Sequence, residues 1–205
     1  MIKATHHWLI APFFDFYTLF QVNRHFRRVV TDISCSDNGL PLFVIANHMS
    51  WWDGFWINYL NLKIFKRRFY FMMLEEQLQK HWFFRYAGGF SVKNGSRSAV
   101  ESIAYAAQLL GDHRNMVVVF PQGVIQSSHT RDFRFEKGIE SILKLASSDF
   151  QMLFVANLID YYSSPTPSLY VHVAICEHRT IDSIQQAYNL FYNNAIEKHL
   201  RLNPS

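Results

Sequence analysis

Short apolar runs alternate along this chain with segments whose apolar residues recur every three or four positions. Five of the runs have the length of strands: Pro41–Ala46, Phe69–Leu74, Met116–Phe120, Phe150–Ile159 and Leu169–Ile175. Largely apolar runs with β-branched residues are typical of strands buried on both faces, as in parallel sheets. Helical periodicity marks three further segments: 96–110, 137–146 and 181–202. The alternation predicts an α/β fold in a single domain, with a mostly parallel or mixed central sheet flanked by helices.

The size and charge of the chain limit what it can be. Its 205 residues, 49% of them hydrophobic, are enough for one domain with a sizeable core and too few for two. The net charge is +4, and 17% of the residues are aromatic. This balance favours an anionic partner at a lipid interface. No basic run, zinc-knuckle spacing or aromatic RNA-binding box indicates a nucleic-acid partner.

The cysteines and histidines predict neither a disulfide framework nor a metal site. Cys35 and Cys176 are expected to be core thiols, and the ten histidines are scattered, so we expect no metal and no cofactor. The apolar stretch Trp8–Phe14 lacks a cleavage site, and no run approaches the roughly 20 apolar residues of a spanning helix. We therefore expect a cytoplasmic protein that is peripherally associated with a membrane.

Residues 1–30 are expected to form an amphipathic helical arm next to a domain at 31–205. Aromatic residues such as Trp8 and Phe13 precede basic residues such as Arg24, a composition typical of a helix that lies in the plane of a membrane. The same pattern fits a helix that packs on the protein's own core, because periodicity alone does not separate the two. Both alternatives stay open.

A histidine and an aspartate five positions apart follow the first apolar run. His48 and Asp53 lie in the stretch Ile45–Gly54. Ser50 followed three residues later by Asp53 is a capping-box signature, which predicts a helix beginning near Trp51. Asp53 is then placed to accept the N–H of one imidazole nitrogen of His48, which leaves the other nitrogen as a general base. Alternatively, Asp53 only caps the helix and His48 is a loop histidine.

Several short motifs carry a resemblance to a known family. Asn47–Asp53, N-H-M-S-W-W-D, resembles the N-H-x-S-x-x-D box of the glycerolipid acyltransferases, a family that includes the lysophosphatidate acyltransferases. Phe120–Gly123 resembles that family's F-P-E-G-T-R box, and Phe135–Gly138 resembles the F-x-x-G that follows it. Gly88–Lys93 is similar to a G-x-F-x-V segment that normally ends in arginine. The order and spacing of the motifs fit across residues 40–160.

The resemblance implies an O-acyltransferase. Such an enzyme moves a fatty acyl group from an acyl thioester, either acyl-CoA or acyl-carrier protein, to a hydroxyl of a lysophospholipid-like acceptor at a membrane surface. By this resemblance His48 is the general base and Asp53 orients and supports its imidazole. The motifs and the cations beside them give the expected substrate-binding residues: Asn47, Ser50, Lys93, Asn94, Arg97, Gln122, Gly123, Arg131 and Arg134.

Some positions depart from the family's motifs. Asn94 stands where the second box supplies a phosphate-binding arginine, and Gln122, Val124 and Ile125 replace a glutamate, a threonine and an arginine. With two arginines missing, a non-phosphorylated lipid hydroxyl, such as that of a glycolipid or a carotenoid glycoside, is an alternative acceptor. A thioester or lipid hydrolase and a catalytically decayed lipid-binding protein are the alternatives from other functional classes.

Overall fold

Helices and strands alternate through the computed structural model, which describes residues 1–93 and 97–201. The strands in these residues are β1 (Val29–Ile33), β2 (Leu42–Ala46), β3 (Arg68–Leu74), β4 (Gly89–Val92), β5 (Asn115–Val119), β6 (Gln151–Asp160) and β7 (Ser168–Ile175). The α-helices are α1 (Ile10–His25), α2 (Asp53–Leu60), α3 (Glu75–Lys80), α4 (Arg97–Leu109), α5 (Gly138–Leu145) and α6 (Ile181–Leu200). A π-helical turn, Asn61–Phe65, continues α2, and a 3-10 segment, Trp82–Ala87, follows α3.

The strands form one sheet in the order β1-β7-β6-β2-β5-β3-β4. Neighbouring strands pair in parallel except β6 and β7, which are antiparallel. The predicted single α/β domain with a mixed sheet is therefore confirmed. Strand β2 is central and all five of its residues are buried. Its carboxyl end lies beside that of β5, at the edge where open α/β sheets bind their ligands.

Helices cover both faces of the sheet. On one face, α4, α5 and α6 contribute Ala106, Ile142 and Tyr188 to a buried cluster. On the other face, α2 contributes Trp56 and Leu60 to a second cluster. Burial of apolar surface on two faces is the main stabilising contribution available to such a sheet. Because α2 is fixed against the sheet in this way, its first residue is held beside the end of β2.

Helix α1 packs on the domain with one side and exposes the other. Thr18 and Val22 are buried, and Phe14 stacks on Phe83 with ring centroids 5.5 Å apart. The outward side carries large exposed aromatic residues: Phe13, Phe16 and Phe20. The inward side of this helix therefore packs on the protein's own core, and a membrane contact by the outward side stays a prediction. Within the described residues, no helix combines the length and the apolar character needed to cross a membrane.

Two strands lie where the sequence patterns predict none. Strand β1 begins at Val29, so the boundary predicted at residue 30 falls inside it. Strand β4 lies in the glycine-containing segment before α4. The chain's first residues join this edge of the sheet, because the Ser91 N–H donates to the Ile2 carbonyl at 2.9 Å. The N-terminal region is therefore connected to the sheet at both of its ends.

Candidate active site

The His48–Asp53 pair lies at the carboxyl end of the central strand. Strand β2 ends at Ala46, and His48 follows in the loop to α2. Helix α2 begins at Asp53, later than the predicted start near Trp51. The imidazole Nδ1 lies 2.7 Å from Asp53 Oδ2, a distance typical of a charge-assisted hydrogen bond. The bend from loop to helix brings together two side chains that a continuous helix would place about 140° apart.

One carboxylate oxygen of Asp53 accepts three hydrogen bonds. Besides the imidazole, Oδ2 accepts the main-chain N–H groups of Met49 at 2.7 Å and of Ser50 at 2.8 Å. The bond to the Ser50 N–H is one half of the predicted capping box, whereas the Ser50 hydroxyl accepts the N–H of Trp52 at 3.1 Å. These bonds fix the loop that carries His48. The second carboxylate oxygen, Oδ1, is buried and has no partner among the described residues.

Burial governs the electrostatics of Asp53. The side chain is completely removed from solvent, and this desolvation raises the pKa of Asp53 above its ordinary value. The hydrogen bonds from His48, Ser50 and Met49 act in the opposite direction. A buried carboxylate gains most from its imidazole partner when that partner is protonated. The pair is therefore suited to stabilise the imidazolium that forms when His48 accepts a proton.

Gln122 holds the main chain of His48 in place. Its Oε1 accepts the His48 N–H at 2.6 Å, and its Nε2 donates to the His48 carbonyl at 3.3 Å and to Gln126 Oε1 at 3.0 Å. The Gln126 N–H also donates to the His48 carbonyl, at 2.9 Å. Phe120 stacks on the imidazole with ring centroids 4.5 Å apart. The turn after β5 thus fixes both the backbone and the ring of His48.

His48 lies on the wall of a cavity of about 690 Å³. This volume is within the range of roughly 300–1,000 Å³ that is common for small-molecule sites. Apolar residues from both faces of the sheet line the cavity: Phe55, Phe71 and Phe84 on the side of α2, and Met72, Ile103 and Ile142 on the side of α4 and α5. Such a lining excludes water and suits hydrocarbon chains.

The mouth of the cavity carries a mixture of apolar and charged residues. Val124 and Ile125, which stand in the place of the family's threonine and arginine, are both exposed and line the cavity. Among the described residues of the wall, Glu136 and Lys137 are the acidic and basic side chains apart from histidines. Both lie in the F-x-x-G motif, to which the sequence assigned no binding role. Their opposite charges were the signal that could have singled them out.

Of the predicted substrate-binding residues, Gly123 lies on the cavity wall with a φ of 68°. Asn47, Ser50 and Gln122 lie beside the His–Asp pair, but their side chains bond to the main chain. Asn47 Nδ2 donates to the Asn157 carbonyl at 3.1 Å, and its Oδ1 accepts the Asn157 N–H at 2.8 Å. These three side chains therefore position the site. The Gln122 amide already bonds to the main chain of His48 and to Gln126, and its contact with a substrate stays a prediction.

The predicted cations are not brought to the described wall of the cavity. Arg131 and Arg134 are exposed in the loop before α5, and Lys93 is exposed at the end of β4. Arg97 is the first residue of α4, and its side chain is not described. Asn94 lies outside the described residues. Among the side chains that the structure describes, Glu136 and Lys137 line the cavity, whereas Arg131 and Arg134 do not.

A mixed α/β sheet that presents a His–Asp pair to a large apolar cavity fits the class of proteins that handle lipid chains. The family comparison makes this specific, because the acyltransferase family model matches residues 21–157 of the 205-residue chain. The chain belongs to this acyltransferase family, which confirms the family expected from the motifs.

The fold is also that of a solved acyltransferase. The crystal structure of PlsC, the 1-acyl-sn-glycerophosphate (LPA) acyltransferase from Thermotoga maritima, matches with a TM-score of 0.69 and 15% sequence identity. The match covers 95% of this chain and 81% of that chain. No curated protein sequence matches this chain. At this identity the likeness to PlsC concerns the fold.

Proposed function

We propose that this protein transfers a fatty acyl group from an acyl thioester to a hydroxyl of a lysophospholipid-like acceptor, with His48 as the general base. The observation that carries the proposal is the 2.7 Å bond from His48 Nδ1 to a buried carboxylate, on a ring that also faces a large apolar cavity. Family membership supports acyl transfer as the reaction.

In the proposed reaction, His48 Nε2 takes the proton from the acceptor hydroxyl while that oxygen attacks the thioester carbonyl carbon. A C–O bond forms, the C–S bond breaks, and the imidazolium returns its proton to the departing thiolate, which leaves as a free thiol. Asp53 stabilises the imidazolium between these two proton transfers. A positioned general base contributes about 10²- to 10⁴-fold to such a rate. This reaction requires no serine or cysteine nucleophile, and the nearby Ser50 hydroxyl accepts the Trp52 N–H.

The acyl donor is either acyl-CoA or acyl-carrier protein, and its chain is proposed to enter the apolar cavity. Helix α1 lies between this cavity and the solvent. Phe14 and Thr18 line the cavity, whereas Phe13 and Phe16 are exposed on the outward side. An exposed aromatic side of this kind is suited to a membrane surface. We accordingly propose that α1 rests on the bilayer from which the acceptor lipid enters.

The test is an assay that follows both products. Purified protein is incubated with palmitoyl-CoA or palmitoyl-acyl-carrier protein and a panel of lipid alcohols, and thiol release and acylated lipid are measured together. We expect the two products in equal amounts. His48→Ala should lower both by about 10²- to 10⁴-fold. The matched control is His113→Ala, because His113 is exposed before β5 and does not line the cavity.

Each alternative gives a different result in this assay. Thiol and free fatty acid without acylated lipid would identify a hydrolase. Lipid binding without thiol release would identify a non-catalytic protein. Thiol release that survives His48→Ala would remove His48 from the mechanism while leaving acyl transfer in place.

A further inference from the structure

One carboxylate, that of Glu136, lines the same cavity as the proposed base. A methyl group placed on Gly123 would lie 3.2 Å from the Glu136 Cγ, so this side chain covers the turn after β5. The Glu136 N–H donates to the Pro121 carbonyl at 2.8 Å, which fixes its backbone to the same turn. Gln122 of that turn holds the backbone of His48. Glu136 thus lines the same cavity as His48, and its backbone is bonded to the turn that holds His48.

A cation follows this carboxylate directly in the chain. Lys137 precedes the first residue of α5 and also lines the cavity. Neither Glu136 nor Lys137 takes part in an ion pair with another described residue. Among the side chains that the structure describes, the mouth therefore presents one carboxylate and one ammonium group, and the charges of these two sum to zero.

This pair of charges does not match a phosphomonoester. Such a head group carries about −1.5 to −2 charges at pH 7, so it needs an excess of cations around it. Glu136 would repel it, and the exposed Val124 and Ile125 add no charge. Arg131 and Arg134 do not line the cavity. A head group with one ammonium and one singly charged anion would satisfy both Glu136 and Lys137.

Resting on the proposed acyl transfer, we propose that the acceptor has a zwitterionic head group, whose ammonium binds Glu136 and whose anion binds Lys137. Two lipid classes carry this pair of charges together with a free hydroxyl. In one, a lysophospholipid with an ethanolamine head group, the anion is a phosphodiester. In the other, an amino-acid lipid, it is a carboxylate. Glu136 is the specificity-determining residue, since it both attracts the ammonium and rejects the phosphomonoester.

The experiment compares acceptors of different charge in the same acyl-transfer assay. The probes are lysophosphatidate, lysophosphatidylethanolamine, an ornithine lipid with a free hydroxyl, and uncharged monoacylglycerol. We expect kcat/KM for at least one zwitterionic acceptor to exceed that for lysophosphatidate by about tenfold or more. Glu136→Gln should raise KM for that acceptor about tenfold and so lower its kcat/KM relative to that for monoacylglycerol. Glu136→Lys should reverse the preference towards lysophosphatidate.

The control is Glu140→Gln, because Glu140 pairs with Lys144 on α5 and does not line the cavity. It should leave the order of acceptors unchanged. Faster acylation of lysophosphatidate than of both zwitterions by the natural sequence would overturn this inference and leave acyl transfer standing. A Glu136→Lys variant that folds but keeps the original preference within twofold would do the same. Absence of acylated product with every acceptor and both donors would overturn the proposed function itself.

Discussion

The Gln122 side chain makes two hydrogen bonds to the main chain of His48. Its Oε1 accepts the His48 N–H at 2.6 Å, and its Nε2 donates to the His48 carbonyl at 3.3 Å. A glutamate, which the family's motif has at this position, could accept the N–H but could not donate to the carbonyl. The amide suits its surroundings here, because Gln126 Oε1 lies 3.0 Å away as a further acceptor. The glutamine that replaces the motif's glutamate is therefore matched by Gln126, so this substitution does not indicate decay of the site.

The first prediction is that Gln122→Glu destabilises the protein. A buried carboxylate would face the His48 carbonyl and Gln126 Oε1 without a proton to donate to either. We expect a loss of about 1–3 kcal/mol in the free energy of unfolding at pH 7, measured by urea denaturation. Gln108→Glu adds the same charge at an exposed position of α4 and should have little effect. Equal stability of the two variants would contradict the assigned role of Gln122.

The second prediction concerns Asp53→Asn. An amide oxygen in the place of Oδ2 can accept the same three N–H groups, but it carries no charge to support the imidazolium. We expect kcat to fall by about 10²- to 10⁴-fold, measured as thiol release, without loss of the fold. A variant that retained more than a tenth of the activity would show that the charge of Asp53 does not support catalysis.

The same substitution should have a pH-dependent effect on stability. Burial raises the pKa of Asp53 above the ordinary value of 3.8, so the folded state disfavours the ionised carboxylate. The folded state therefore binds a proton at Asp53 more tightly than the unfolded state does. This contribution to stability is fully present below pH 3.8 and is lost as the pH rises through the folded-state pKa. The Tm of Asp53→Asn, relative to the natural sequence, should therefore increase between pH 4 and pH 7. A relative Tm that falls over this range would contradict the sign of the shift.

The sequence predicts the strands that are continuous apolar runs and misses two that are short or mixed in composition. Every residue of strands β2 and β5 is buried, and apart from Asn115 both strands are continuous apolar runs, so their pattern is clear. Strand β1 lies at the sheet edge, and its Val-Val-Thr-Asp-Ile sequence is only half-buried, so no apolar pattern marks it. Strand β4 has four residues and begins with Gly89, which is too short and too permissive a segment to recognise.

The candidate site was predictable in its residue types but not in the direction of its side chains. The five-residue spacing of His48 and Asp53 predicts a contact once a loop-to-helix bend is assumed. Nothing in a sequence shows which way an amide points, and Gln122 turned out to bond the backbone. The charge of Arg131 and Arg134 predicts that they bind the substrate, but both lie at the surface and neither lines the cavity.

A third prediction uses a glycine to probe the cavity. Gly54 lines the cavity, and a Cβ added there meets nothing within 4 Å. Gly54→Leu should therefore fold and reduce the space for the acyl chain. We expect the preferred donor to shift from long to shorter chains when octanoyl- to stearoyl-CoA are compared.

Gly54→Ala is the matched control for this prediction. Its single methyl group occupies little of the cavity and removes the entropic disadvantage of glycine in α2, which is about 0.5–1 kcal/mol. We expect a slightly higher Tm and an unchanged donor preference. If Gly54→Leu kept the donor preference of the natural sequence, this result would show that the acyl chain does not pass Gly54.

The last prediction tests helix α1 at a membrane. Deleting the helix would not be informative, because Thr18 and Val22 are buried and their loss would disturb the fold. The outward residues can be changed alone, since they are 49–67% exposed: Phe13, Phe16 and Phe20. The triple substitution of these residues by glutamine should lower binding to phosphatidylglycerol-containing vesicles by about 100-fold or more, because each phenylalanine loses its apolar contact with the bilayer.

The control for this variant is Leu190→Gln on α6. Leu190 is 64% exposed, but α6 packs on the opposite face of the sheet from α1. Its substitution should leave co-sedimentation with vesicles unchanged, because a membrane that meets α1 does not reach this face. Equal binding by the triple variant and the natural sequence, with both folded, would show that α1 is not the membrane contact. Equal loss in both variants would show that the protein binds vesicles through exposed apolar residues in general and has no oriented surface.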